Sequence, residues 1–139
     1  MPEPRRERGL LDTSVVIALP DTDRDQLPVE MALSAITLAE LVTGPHASDD
    51  VEERARRQDR LQRADRTFDA VPFDADAAQA YGRIYAAVAA RGRKARGRRA
   101  MDLLIAATAL AQDIPLFTCT PADFEGLDSL IEIVSVDHS

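Results

Sequence analysis

The sequence predicts an α/β fold, an α/β/α sandwich in which helices cover both faces of a mainly parallel sheet. Three observations predict it. Short apolar runs at residues 9–12, 32–36, 71–73, 114–119 and 131–136 alternate with segments of helical period, the pattern of strand–helix–strand units. The chain has 139 residues of which 45% are hydrophobic, enough for one core and too few for a second independent one. It carries no internal repeat, Gly/Ser linker or low-complexity tract apart from one arginine-rich block, so nothing divides it.

Taken in order, residues 1–8 are charged and read as a disordered leader before a single domain at 9–137. The apolar stretch that follows is short and interrupted by Asp12, unlike a signal peptide or a membrane span. Residues 9–12 form a buried strand, and Thr13 and Ser14 can cap a helix through Val15, Val16, Ile17 and Leu19. Residues 20–28, rich in Asp and Pro, make a loop or frayed helix. A strand at 32–36 then runs into a helix starting near Thr37. Residues 48–68 are strongly charged with a thin stripe of Val51, Ala55, Leu61 and Phe68, which suits an exposed amphipathic helix that a partner could cover. After a short strand at 71–73, Asp74 can cap a helix over 75–90 that places Tyr81 and Tyr85 one turn apart, for helix packing or a dimer face. A basic loop leads into an apolar helix from about Arg99 to Ala111. A strand at 114–119, a turn at 121–127 and a last strand at 131–136 complete the chain.

Composition excludes several classes. One cysteine, Cys119, allows no intramolecular disulfide, and a cytoplasmic protein fits best. Tryptophan is absent and aromatics are 4% of the chain, which argues against a base-stacking platform. A net charge of −7 argues against a broadly basic nucleic-acid surface, but Arg91, Arg93, Lys94, Arg96, Arg98 and Arg99 concentrate positive charge in one place. His46 and His138 lie far from the acids discussed next, so a zinc site or a histidine base has little support.

Asp102 interrupts Met101, Leu103, Leu104, Ile105, Ala106 and Ala107. A carboxylate on a helix that apolar costs several kcal/mol unless it is paired or bound to metal, or sits hydrated in the helix's first turn. Glu40 matches a capping box with Thr37 as well as it matches a functional acid. Asp12 alone is ordinary strand-end chemistry, and Asp123 could be one more acid in a polar turn. Together, Asp12, Glu40 and Asp123 each follow closely after a predicted strand, at the end of an open sheet where ligands bind. Acids gathered there repel one another unless a hard cation such as Mg²⁺ or Mn²⁺ neutralises them.

Four segments carry these acids in order: LLDTSVVI at residues 10–17, SAITLAEL at 34–41, DLLIAATAL at 102–110 and LFTCTPADF at 116–124. They resemble the motifs of the VapC toxins, the PIN-domain ribonucleases of VapBC toxin-antitoxin modules, over nearly the whole chain. The resemblance implies a PIN-like fold, an acidic quartet of Asp12, Glu40, Asp102 and Asp123 that holds metal and carries catalysis, and polar support from Thr13, Ser14, Thr118 and Thr120. In the last motif Thr120 stands where the family commonly has Asn, which leaves Asp123 either a direct ligand or one acting through water. It also implies a homodimer and a VapB antitoxin whose C-terminal segment blocks the acidic pocket.

The activity implied is hydrolysis of RNA by water that one or two Mg²⁺ or Mn²⁺ ions activate, with the block from Arg91 to Arg99 receiving phosphates at the rim. Two other readings compete. A receiver-like phosphoryl-transfer domain also sets Asp residues around Mg²⁺, but it expects a late lysine, and the sole lysine here is Lys94 in the basic loop. A non-catalytic PIN binding subunit would keep the acids without using them.

Overall fold

A computed structural model of the chain describes residues 5–92 and 98–137. Five strands form one sheet, all parallel: β1 (Arg8–Leu11), β2 (Glu30–Ser34), β3 (Ala70–Val71), β4 (Leu116–Thr118) and β5 (Ile133–Ser135), in the order β3-β2-β1-β4-β5. Parallel neighbours need long crossovers, and helices supply most of them. They are α1 (Thr13–Ala18), α2 (Ala35–Thr43), α3 (Val51–Thr67), α4 (Ala75–Ala90) and α5 (Arg98–Gln112).

Alternation along the strands sorts the core into two layers. Leu10, Ala32 and Leu116 face α4 and α5, where Ile84, Val88, Leu103, Ile105 and Ala106 are buried. Leu11, Leu33 and Phe117 point the other way, onto Val15, Val16, Leu41, Ala64 and Phe68 from α1, α2 and α3. Such a sheet, buried on both faces, reads in sequence as unbroken apolar runs, which is why these segments lack a polar face. Gly9 in β1 is required by packing: a Cβ there would run into the Phe117 ring.

Element boundaries follow the caps. Asp12 itself caps α1 by accepting the Val15 amide, so Thr13 and Ser14 are the first helical residues rather than the caps expected of them. Ser34 caps α2 by accepting the Thr37 amide at 3.0 Å, so that helix begins two residues before Thr37 and the expected Thr37–Glu40 box is replaced. Asp74 caps α4 as expected, accepting from Ala77. The strands expected at 71–73, 114–119 and 131–136 are shorter than the apolar runs, because burial extends past the last ladder bond. The stripe expected on α3 is also redrawn. Val51 is 78% exposed, Ala55 faces solvent, and the inward face runs through Arg57, Arg60 and Ala64 to Phe68. Of the leader expected at 1–8, residues 5–8 are described and engaged: Arg5 donates to the carbonyls of Leu27 and Pro28, Arg6 pairs with Glu132 at 2.7 Å, and Arg8 opens β1. Among the described residues no helix is long and apolar enough to cross a membrane.

Candidate active site

The strand order reverses between β1 and β4, since the chain moves from β1 to β2 on one side and returns to β4 on the other. Parallel sheets open a crevice beyond the carboxyl ends of the strands at such a point. Asp12 stands in it. As the residue after β1, its amide donates to the Phe117 carbonyl of β4 at 3.0 Å, and its side chain is 3% exposed together with the rest of the residue.

Besides the Val15 amide, two hydroxyls donate to that carboxylate and two backbone amides support them. Thr118 Oγ1, at the end of β4, donates to Asp12 Oδ2 at 2.6 Å, and Ser14 Oγ donates to Oδ1. Each hydroxyl has one proton, and each accepts a backbone N–H that fixes where that proton goes. The Thr120 amide donates to Thr118 Oγ1 at 3.0 Å and the Cys119 amide donates to Ser14 Oγ at 3.0 Å. The turn leaving β4 therefore aims both hydroxyls at Asp12. Burial pushes the Asp12 carboxyl above the ordinary carboxylate value, and the bonds from Ser14, Thr118 and Val15 oppose that rise without cancelling it. A desolvated acid of this kind is stabilised by a nearby cation.

Glu40 lies on α2, half-buried, and Thr13 Oγ1 donates to its Oε1 at 2.7 Å, with the Thr37 hydroxyl 3.1 Å from Thr13. Its carboxylate thus meets α1, while Ser34 caps α2. Thr13 and Glu40 share one wall of a cavity of about 480 Å³ whose other side is formed by Glu53, Arg57 and Arg60 of α3.

Asp102 is half-buried beyond the first turn of α5, which holds no acid, so the helix-terminus explanation for it does not apply. Asp123 sits half-buried in a single 3-10 turn at Pro121–Phe124, and its backbone carbonyl accepts from Arg99 Nη1 at 3.4 Å. Among the described residues, no three of His, Cys, Asp or Glu are grouped to hold a metal ion. The acids therefore do not form a closed cage. Their oxygen-only donor set fits a hard cation, and Mg²⁺ in particular is held by one or two carboxylates while water and substrate phosphate fill the remaining positions.

Of the basic block, Arg93, Lys94 and Arg96 lie outside the described residues, as do the side chain of Arg98 and His138. Arg91 pairs with Glu125 at 3.0 Å. Sequence reasoning missed Arg57 and Arg60, whose signal was the spacing 53, 57, 60, 64 that puts them on the helix face carrying buried Ala64. Cys119 is half-buried with its thiol pushed up by burial and by the negative charges of Asp12 and Asp137, unlike an activated nucleophile.

Residues 9–128 match the PIN domain family. The chain is 35% identical over 133 residues to Ribonuclease VapC5 of Mycobacterium tuberculosis, covering 92% of this chain and 95% of that protein. It is 40% identical over 102 residues to Ribonuclease VapC8 of the same species, covering 73% and 89%. The fold is similar to the crystal structure of VapBC-5, a member of the VapBC family of toxin-antitoxin systems from Mycobacterium tuberculosis, with a TM-score of 0.81, 36% identity, and 94% of this chain and 99% of that chain covered.

Proposed function

The chain belongs to the PIN-domain family, among the VapC ribonucleases, and from that premise we propose that it is an endoribonuclease acting as the toxin of a type II toxin-antitoxin module. The observation that carries the chemistry is Asp12: a buried carboxylate at the reversal of strand order, with hydroxyls from both flanking strands' exits aimed at it. Asp12 and Glu40 are the principal metal ligands in this reading. Asp102 and Asp123 complete the acidic site, directly or through water, within a domain spanning residues 9–137.

A Mg²⁺ or Mn²⁺ ion bound there would supply Lewis-acid stabilisation of the phosphoryl oxygens and a lowered pKa for the attacking water. The residues of the chain do the positioning. Thr118 and Ser14 fix both oxygens of Asp12, and Thr13 fixes Glu40, so that neither acid must reorganise when substrate arrives. Thr120 acts on Thr118 through its backbone amide at 3.0 Å and through its hydroxyl, 3.2 Å from Thr118 Oγ1, so the hydroxyl that replaces the family's usual side-chain amide supports Asp12 indirectly. The water oxygen bonds to phosphorus as the bond to the 3′ oxygen breaks, leaving a 5′-phosphate and a 3′-hydroxyl.

A VapB-type antitoxin and a second copy of the chain are the partners proposed, in the cytoplasm. Tyr85, 51% exposed on α4 with its ring 6.1 Å from that of Tyr81, supports a protein contact there. Incubation of antitoxin-free protein with structured RNAs in Mg²⁺, Mn²⁺ or chelator tests the enzyme. Cleavage that needs metal, leaves 5′-phosphate ends and disappears in Asp12→Asn and Asp102→Asn is expected. Cleavage that survives chelation or both substitutions would overturn the assignment.

A further inference from the structure

RNA is a polyanion and the crevice is acidic, so the substrate needs cations close to the reacting phosphate. The described members of the basic block are occupied: Arg91 with Glu125, and Arg99 with the Asp123 carbonyl. A different pair faces the site. Arg57 and Arg60 of α3 line the same cavity of about 480 Å³ as Thr13 and Glu40. They differ in what holds them. Arg57 donates to Glu53 at 3.0 Å and to the Gly44 carbonyl at 2.9 Å, while Glu53, lowered from its ordinary value by hydrogen bonds from Arg56 and Arg57, takes up their charge. Arg60 has no hydrogen-bond or ion-pair partner among the described residues and is half-buried at the cavity wall. It also lines a smaller apolar groove of about 200 Å³ with Val16, Leu19 and Phe68, so the residue stands where the two recesses meet.

We infer that Arg60 is a substrate-binding residue that receives the non-bridging oxygens of an RNA backbone phosphate flanking the scissile one, across the cavity from Glu40. This rests on the ribonuclease reading above. The guanidinium fork suits two phosphate oxygens. Arg57, already anchored, keeps α3 and its neighbour at a fixed distance from the acids. The position on α3, opposite the sheet face that α4 covers, orients the strand across α1 and α2.

The test uses an RNA that wild-type protein cleaves. Arg60→Gln should raise KM about tenfold, as loss of a charge-assisted bond does, with little change in kcat, and should reduce the salt slope of kcat/KM by about one. Arg60→Lys should restore most of the loss, and Arg83→Gln, the same charge change on α4, should do nothing. Replacing single linkages by uncharged methylphosphonates should find one beside the cut whose neutralisation harms the wild type and leaves Arg60→Gln unaffected. The inference is overturned if Arg60→Gln cleaves like the wild type with an unchanged salt slope. It is equally overturned if Arg60→Gln loses only affinity for an antitoxin, which would make a protein acid the occupant. If the wild type cuts no RNA, the ribonuclease reading falls first and takes this one with it.

Discussion

On one face of the sheet, α4 and α5 press Ile84, Val88, Leu103, Ile105 and Ala106 onto Leu10, Ala32 and Leu116, all of them buried. On the other, α3 spans 17 residues and buries Ala64 alone, while two recesses open between it and α1 and α2. The contrast is one of purpose. A close-packed aliphatic layer gains from each methylene buried and tolerates no charge. The opposite layer gives up packing to bring Glu40, Glu53, Arg57 and Arg60 around a space that a ligand can enter. Asp12 sits at the seam, where β1 and β4 end and the two layers share a rim.

If that division is right, substitutions should separate activity from stability according to face. The largest effect belongs to Asp12→Asn, which keeps the side chain's shape and its capping bond but removes a ligand charge. RNA cleavage should fall by at least about 100-fold, since even outer-shell changes at metal sites cost up to that much, with far-ultraviolet circular dichroism unchanged. Leu103→Ala should cost roughly 2–5 kcal/mol and lower Tm by about 10 °C, while the protein that remains folded keeps its kcat. Thr118→Val removes the hydroxyl that holds Asp12 Oδ2 and should weaken metal affinity about 10–100-fold, read by titration with Mn²⁺. Leu61→Ala, half-buried on α3, should cost less than about 1.5 kcal/mol in thermal unfolding. A Leu61 penalty as large as that of Leu103 would erase the distinction between the faces.

Much of this was legible in the sequence, for reasons that also explain what was not. Parallel strands buried on both faces write themselves as apolar runs, and the expected strands fall where the runs are. Their ends did not follow, because hydrophobicity continues beyond the ladder while a cap depends on which side chain reaches which amide. Asp12 rather than Thr13 caps α1 because the Asp carboxylate reaches Val15 and leaves the Thr13 hydroxyl for Glu40, a pairing 27 residues apart. The acids were readable one by one as residues after strands, but the hydroxyls' directions were not, since they depend on the amides of Cys119 and Thr120. Positive charge was sought where it is dense in sequence. On α3 it is spaced by turns of the helix among charges of both signs, and counting only apolar residues placed the stripe on Val51 and Ala55.

The pH dependence of stability follows from the same carboxylate. Its folded-state value is raised by burial, so it contributes stability to the metal-free protein below the ordinary carboxylate range, and loses that contribution as pH rises through its raised value. The wild type should therefore lose stability relative to metal-free Asp12→Asn as pH rises from the ordinary carboxylate range through the raised value, read as a Tm difference that shifts in the variant's favour between acid and neutral pH.

Thermal unfolding of wild type and Asp12→Asn during titration with Mn²⁺ tests most directly whether Asp12 is the anchor of a cation site. The wild type should rise by mass action and the variant should rise little. Parallel rises in the two proteins would contradict the placement of the cation at the β1–β4 seam.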